Sequence, residues 1–368
     1  MTDISELYMS RCLDLAGNGK GNVAPNPMVG SVIVHDGNII GEGYHRCFGE
    51  AHAEVNAIAS VKDAALLRNS TLYVNLEPCS HYGKTPPCAE LIIQKKIPRV
   101  VVACLDPYPE VAGRGVRMLR SAGVEVITGV MEREAVALNR FFLTAHKYHR
   151  PYVILKWAQS EDGFIDRKRD DVSEMPVVFS TPVTRMMVHK LRSEVQAIMV
   201  GTNTAILDNP SLTVRYWSGK SPVRILIDRD LRVPENYHLL DGTQQTFVFT
   251  KQSFKDIKYK GSGKESVKYV KIDDSANMLN CILTNLYKGN IHSLLVEGGA
   301  QLHRSFMEEG VWDEIIVETV PVRIRDGVES AFFYSNGGAQ LVDRQVFPSD
   351  GMFRKRPSVV ERYLNCEV

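Results

Sequence analysis

Residues 52–88 read HAEVNAIASVKDAALLRNSTLYVNLEPCSHYGKTPPC. The stretch predicts a helix over 52–61, a strand over 71–76 and a second helix over 88–96, which set His52-Ala53-Glu54, Pro78-Cys79 and Cys88 among consistent elements. One imidazole and two thiolates give zinc three protein ligands and leave a fourth position for water, the catalytic arrangement; a structural site takes four. Glu54, two residues beyond His52, reaches such a water without ligating the metal. Zinc lowers the pKa of bound water, and Glu54 then carries a proton from it to departing ammonia. The pattern predicts one zinc per chain and hydrolytic deamination at an amidine-like carbon. Cys47 is the one rival ligand. Cys12, Cys104 and Cys281 lie in apolar periodic segments that suit a core, and Cys366 is a bystander.

Outward from this stretch, helix 4–16 precedes strands 29–34 and 39–44, which Asp36-Gly37 joins in a tight hairpin turn. Strand 99–104, helix 114–121, strand 124–127 and a long amphipathic segment over 131–148 follow. One sheet covered by helices is the natural packing. The polar cluster before Pro151 marks a boundary, giving domains over 1–149 and 150–368. Past it, strand 152–157 leads to helix 182–193, with Ser180 or Thr181 as its cap. Strands 195–200, 223–228, 246–250 and 267–272, helix 275–287, strand SLLVEGG, helix 300–309 and strand 313–320 continue a second α/β unit. The tail reads as short strands. Residues 251–266, with five lysines and two glycines, read as an exposed hairpin loop rather than a nucleic-acid patch.

The chain has 368 residues, with 44 Lys and Arg against 43 Asp and Glu, a formal charge of +1 that argues against a globally basic nucleic-acid binder. No run approaches the roughly 20 apolar residues of a membrane span, and the N-terminus shows no secretory pattern. Seven scattered cysteines are an odd number and not a disulfide framework, which points to a reducing cytoplasm. Neither nucleic acid nor membrane is expected as a partner. A homo-oligomer of unspecified order is.

APNPMVGSVIV (24–34), GEGYH (41–45), HAEVNAI and NLEPCSHYGKTPPC together resemble the deaminase domain of the bifunctional riboflavin biosynthesis enzymes. The resemblance implies a cytidine-deaminase-like three-layer α/β domain. It also implies a substrate, 2,5-diamino-6-(5-phosphoribosylamino)pyrimidin-4(3H)-one, that is deaminated and then reduced at its ribosyl group. Between the two cysteines, SHYGKTPP is longer than the two residues usual in other deaminases and can bring His81 and Lys84 to the pocket mouth, where a phosphate needs positive donors. Asn26 offers both an amide donor and a carbonyl acceptor to a pyrimidine edge. His45 contacts substrate or holds the strand end. The loop DPYPEVAGRG (106–115) approaches the cleft, with Asp106 as its polar contact.

The resemblance continues in KWAQSEDGFID (156–166), VHKLRSEVQAIMVGTNTAILDNPSLTVR (188–215) and LLVEGGAQLHRSFMEEGVWDE (294–314), and covers residues 4 to 320. It implies a dihydrofolate-reductase-like domain that uses NADPH; no GxGxxG turn supports a Rossmann site. It further implies that Arg192, Leu212 and Arg215 bind the substrate's phosphate and ribose. Gln159, Val178, Thr204, Asp208 and Gly299 fall on the cofactor side, and Lys156 and Glu297 near the transferring atoms. Lys156 and Glu297 either orient the opened ribose or pass protons. Ring opening gives an imine-like C1′ that accepts hydride. Three places depart from the family pattern: SEDG for SLDG, Val178-Phe179 for Trp-Ile, and GTNT for GVGT. These keep open an alternative, a monofunctional zinc deaminase with a non-catalytic nucleotide-binding second domain. An RNA-editing protein lacks the basic and aromatic surface it needs, and a non-catalytic zinc protein leaves Glu54 without a role.

Overall fold

The computed structural model describes residues 4–82, 86–106, 112–169, 172–253, 265–273, 277–331, 338–348 and 356–366. The chain divides into two compact units at Arg150/Pro151. In the first, strands β1 (Gly30–His35), β2 (Asn38–Tyr44), β3 (Thr71–Leu76), β4 (Arg99–Cys104) and β5 (Glu125–Thr128) form a sheet of order β2-β1-β3-β4-β5. The β1–β2 pair is antiparallel, and Asp36 and Gly37 both take positive φ, the twist a two-residue hairpin requires. Strands β3, β4 and β5 run parallel, so the expected helices lie between them.

Strand alternation splits the core into two layers. Ile33, Leu72, Val74, Val100 and Val102 pack with Ala57, Ile58, Ala89, Ile92, Val116 and Leu119 of helices Ala53–Ser60, Cys88–Gln94 and Arg114–Ser121. Val32, Val34, Tyr73, Val101 and Ala103 face the other way, onto Tyr8, Met9, Cys12 and Leu15 of helix Ile4–Gly17. This is the three-layer arrangement expected. Gly43 fixes how closely helix Ala53–Ser60 approaches: a Cβ there would sit 2.3 Å from the Ala57 nitrogen. The segment 131–148 forms two helices, Glu132–Leu138 and Arg140–Tyr148, broken at Asn139. The break has a physical reason, because the Asn139 side chain leaves the helix to accept from Met28 N–H at 2.8 Å and donate to Met28 O at 2.9 Å.

The second unit holds a sheet of order β11-β10-β9-β8-β12-β6-β13-β16-β15. Its members are β6 (Tyr152–Ser160), β8 (Ala197–Gly201), β9 (Val223–Ile227), β10 (Thr246–Thr250), β11 (Val267–Lys271), β12 (Ser293–Val296), β13 (Glu314–Val320), β15 (Ala339–Phe347) and β16 (Ser358–Asn365). A separate pair joins β7 (Phe164–Asp166) to β14 (Val328–Glu329). Thr181 caps helix Pro182–Glu194 by accepting from Thr184 N–H. Two expectations are corrected. Strands β10 and β11 pair parallel, so 251–266 is a crossover and not a hairpin loop; residues 254–264 lie outside the described residues. The tail is not made only of short strands such as β14. β15 and β16 span nine and eight residues and form an antiparallel ribbon that β16 docks on β13. No helix among the described residues is long and apolar enough to cross a membrane.

Candidate active sites

In the first unit, His52 ends an extended segment (φ −70°, ψ 163°) and caps helix Ala53–Ser60. Cys79 follows β3, and Cys88 opens helix Cys88–Gln94. Their ligand atoms lie within 4.8 Å of one another, the one such group among the described residues. His52 Nδ1 stands 3.6 Å from Cys79 Sγ and 3.4 Å from Cys88 Sγ. Zn–N near 2.0–2.1 Å and Zn–S near 2.3 Å at tetrahedral angles give N···S separations of about 3.6 Å. The donors therefore fit zinc in both chemistry and spacing. The Cys88 backbone N–H donates to Cys79 Sγ at 3.2 Å. Hydrogen bonding from the Cys88 thiol, with help from His52 and this amide, pulls Cys79 down to about 4, while the same interaction pushes Cys88 up. Cys47 stays outside this set.

Glu54 is buried in the first turn after His52. Burial, with Cys79 beside it, pushes its carboxyl up to about 7, near the working range of a group that takes and returns protons. His45 packs edge-on to His52, ring centroids 5.7 Å apart. Its Nδ1 meets the Ala51 carbonyl at 3.1 Å, so Nδ1 carries the hydrogen and Nε2 accepts from Asn26 Nδ2 at 3.1 Å. Burial lowers the ring's pKa and keeps it neutral. Asn26 and His45 therefore form one unit against the metal ligands. His81 is exposed, Asp106 half-buried, and Lys84 lies outside the described residues, as do 107–111 of the adjoining loop.

Three residues around this site were missed from sequence. Glu77 is buried and accepts backbone N–H from Asp106 (3.1 Å), Gly113 (2.9 Å) and Val116 (3.1 Å), tying these three residues to the chain that follows β3 and delivers Cys79. Asn75 accepts from Gly30 N–H at 2.7 Å and donates to Met28 O at 3.0 Å. With Asn139 it clamps the loop that carries Asn26. The signal was present: Asn75 is a polar residue inside the apolar strand 71–76 and Glu77 follows it directly, and buried polar groups demand partners.

In the second unit a cleft of about 1110 Å³ opens where Lys156, Val178, Phe179, His189, Arg192, Thr204, Asp208, Arg215, Glu297 and Gly299 meet. It exceeds the roughly 300–1,000 Å³ of an ordinary small-molecule pocket, space for an extended cofactor beside a substrate. Gly299, at φ +66°, precedes helix Ala300–Glu308, and a Cβ there would lie 3.2 Å from Thr204 Oγ1. A polar cradle with unpaired helix-start amides suits a cofactor phosphate. Glu297 accepts from Arg192 Nε at 2.9 Å and Nη2 at 2.5 Å, and Arg192 Nη1 donates to Thr213 O at 3.1 Å. Burial works against the Glu297 charge, yet Arg192 and then Lys156 hold its pKa below the usual range. Burial lowers Lys156 in turn, opposed by Glu297 and Glu318. Three of Arg192's five N–H donors are used, leaving one on each terminal nitrogen.

Other expected residues stand differently. Asp208 pairs with Arg169, which also meets Asp166 at 2.7 Å. Arg215 is exposed, its Nη1 donating to Thr213 Oγ1 at 3.0 Å. Leu212 is buried in left-handed backbone (φ +52°) and is not among the residues lining the cleft. Gln159 also lies off the cleft lining; it accepts from Trp157 Nε1 at 2.8 Å and donates to Thr319 Oγ1 at 3.4 Å. Val178 is exposed on the cleft wall, with Phe179 buried beside it.

Known proteins match both units. Residues 2–104 match the cytidine and deoxycytidylate deaminase zinc-binding region, and 151–330 the RibD C-terminal domain. The riboflavin biosynthesis protein RibD of Aquifex aeolicus is 43% identical over 329 residues, 89% of each chain. That of Escherichia coli is 37% identical over 333 residues, 86% of this chain and 87% of its own. Among solved structures, a Thermotoga maritima diaminohydroxyphosphoribosylaminopyrimidine deaminase/5-amino-6-(5-phosphoribosylamino)uracil reductase superposes with a TM-score of 0.83 at 34% identity, covering 99% of both chains. Acinetobacter baumannii RibD gives 0.84 at 32%, covering 98% of this chain and 99% of its own. A cytidine-deaminase-like domain thus precedes a dihydrofolate-reductase-like one, and the chain belongs to the RibD family, the bifunctional deaminase–reductases of riboflavin biosynthesis.

Proposed function

We propose that the two activities reside in the two sites described, one per unit, and that the first takes 2,5-diamino-6-(5-phosphoribosylamino)pyrimidin-4(3H)-one. The observation that carries this reading is the His52–Cys79–Cys88 donor set beside buried Glu54. Zinc held by those three ligands supplies the Lewis acidity that makes water a nucleophile at neutral pH. Glu54 takes the proton released from that water and delivers it to the departing amino group, which leaves as ammonia. Asn26, fixed by His45, reads the pyrimidine edge. The phosphoribosyl group extends toward exposed His81 and half-buried Asp106, and the Lys84 ammonium is our further candidate partner for its phosphate.

The product, 5-amino-6-(5-phosphoribosylamino)uracil, is then reduced in the second cleft. NADPH held in this cleft would supply the hydride for an electrophilic C1′ of the opened ribose. Thr204, Asp208, Gly299 and Val178 would flank the cofactor, with Gln159 on β6 beside Thr319. Arg215 holds the substrate phosphate, and Leu212 shapes the loop that presents it. Arg192 keeps Glu297 ionised and offers its two remaining donors to substrate oxygens. Glu297 and Lys156, which line the cleft together, are the groups that would orient the ribose hydroxyls and exchange a proton with them. The free cysteines fit a reducing cytoplasmic setting, and a homo-oligomer remains our expected assembly. Metal analysis of Cys88→Ala tests the reading of the first site. Loss of zinc together with deamination supports it; undiminished zinc rejects the ligand assignment.

A further inference from the structure

His189 lies on helix Pro182–Glu194, on the wall of the second cleft, and is 3% exposed. Its Nδ1 sits 2.9 Å from the Arg215 backbone nitrogen, which can only donate. Nδ1 is therefore the acceptor, and in the neutral ring the hydrogen belongs to Nε2. Burial and the charges of Arg192 and Arg215 keep the ring neutral, holding it down to about 4. No protein hydrogen bond takes the Nε2–H among the described residues, and Nε2 is not a fully buried polar atom left without a partner, so on a cleft-lining residue this donor keeps access to a ligand. Tyr216 meets the ring edge-on at 4.9 Å, which fixes its plane without using either nitrogen. The unused donor thus belongs to a rigid side chain that shares the cleft wall with Arg192 and Arg215.

We propose that His189 is a further substrate-recognition residue of the second site, donating Nε2–H to an oxygen of the substrate's phosphate while its other nitrogen latches the Arg215 loop. The inference rests on the reading that this cleft reduces a phosphorylated substrate held by Arg215. An imidazole gives the site a donor without a further charge. It complements a fork-shaped guanidinium that alone leaves one phosphate oxygen unmatched.

The latch and the recognition role separate by substitution. His189→Asn keeps an acceptor at the Nδ1 position and loses the donor at Nε2. His189→Gln places an amide donor near Nε2 and loses the latch. Steady-state reduction of 5-amino-6-(5-phosphoribosylamino)uracil and of its dephosphorylated counterpart, measured on the full chain with NADPH, reads both. His189→Asn is expected to raise KM for the phosphorylated substrate roughly ten- to hundredfold and to leave the dephosphorylated one near its starting value. His189→Gln is expected to recover most of that loss. Unchanged KM in His189→Asn overturns the proposal, as does an equal loss on both substrates. Arg215→Ala, run alongside, separates the two failures. A phosphate-dependent loss in Arg215→Ala with none in His189→Asn sinks the histidine alone. No loss in either sinks the reading of the cleft.

Discussion

Glu77 gives the sharpest structural prediction. Its carboxylate is 6% exposed and accepts three backbone N–H groups, two on Oε2 from Asp106 and Gly113 and one on Oε1 from Val116. Glu77→Ala leaves all three donors without their acceptor. Each unsatisfied buried donor costs about 1–3 kcal/mol, and the three share one partner, so their losses do not simply add. Water admitted beside half-buried Asp106 offsets part of the sum, which leaves roughly 3–5 kcal/mol, the scale of removing one side of a buried charged network. At about 2–4 °C per kcal/mol for a unit of this size, the first unit should melt roughly 6–20 °C lower. Glu77→Gln turns an N–H₂ toward one or more of the same donors and should fall between Ala and the parent. Calorimetric melting of the zinc-loaded proteins is the assay, with NADPH-dependent reduction as the control that should be retained. A shift below about 2 °C in Glu77→Ala would refute the claim that this carboxylate anchors Asp106, Gly113 and Val116.

Glu54→Gln should keep zinc and fold while losing roughly 10²-fold or more in deamination; loss of metal along with activity would make Glu54 a ligand instead. Arg215→Ala should weaken binding of the phosphorylated reductase substrate by roughly 1.5–3 kcal/mol with zinc content and deamination unchanged, and an equal effect on the dephosphorylated compound would remove its phosphate role. Gly43→Ala puts a Cβ 2.3 Å from the Ala57 nitrogen, so helix Ala53–Ser60 must shift. Deamination should drop by an order of magnitude or more, because a small misplacement of catalytic groups is costly. Parent-like kinetics in Gly43→Ala would show that the helix start tolerates displacement.

What the sequence disclosed was local. The Asp36-Gly37 turn, the alternating strands of the first sheet and the spacing of His52, Glu54, Cys79 and Cys88 each carry their signal within a few residues, and the structure realises the turn and brings the ligands together. Contacts made across long separations left no such trace. Asn139 breaks a helix because its partner is Met28, 111 residues earlier, and nothing near 139 announces that. The length of β15 and β16 depends on pairing with each other and with β13, a tertiary condition that overrides weak local propensity. Lysines and glycines in 251–266 suggested a hairpin because composition reports exposure, not strand direction. In the second site Arg192 was expected at a phosphate, but its bidentate pairing with Glu297 is visible only once β12 and helix Pro182–Glu194 are side by side. His189 escaped for the same reason, since its acceptor role is defined by a backbone amide 26 residues away.

The central claim is that one chain performs deamination and then reduction in separate sites. The most direct measurement incubates the purified, zinc-loaded chain with 2,5-diamino-6-(5-phosphoribosylamino)pyrimidin-4(3H)-one, with and without NADPH, and follows the mass of the product. Without NADPH an amino group should be exchanged for oxygen and nothing further; with NADPH the same product should gain two hydrogens. A substrate left intact by the zinc-loaded chain, or a deaminated product that NADPH leaves unreduced, would contradict it.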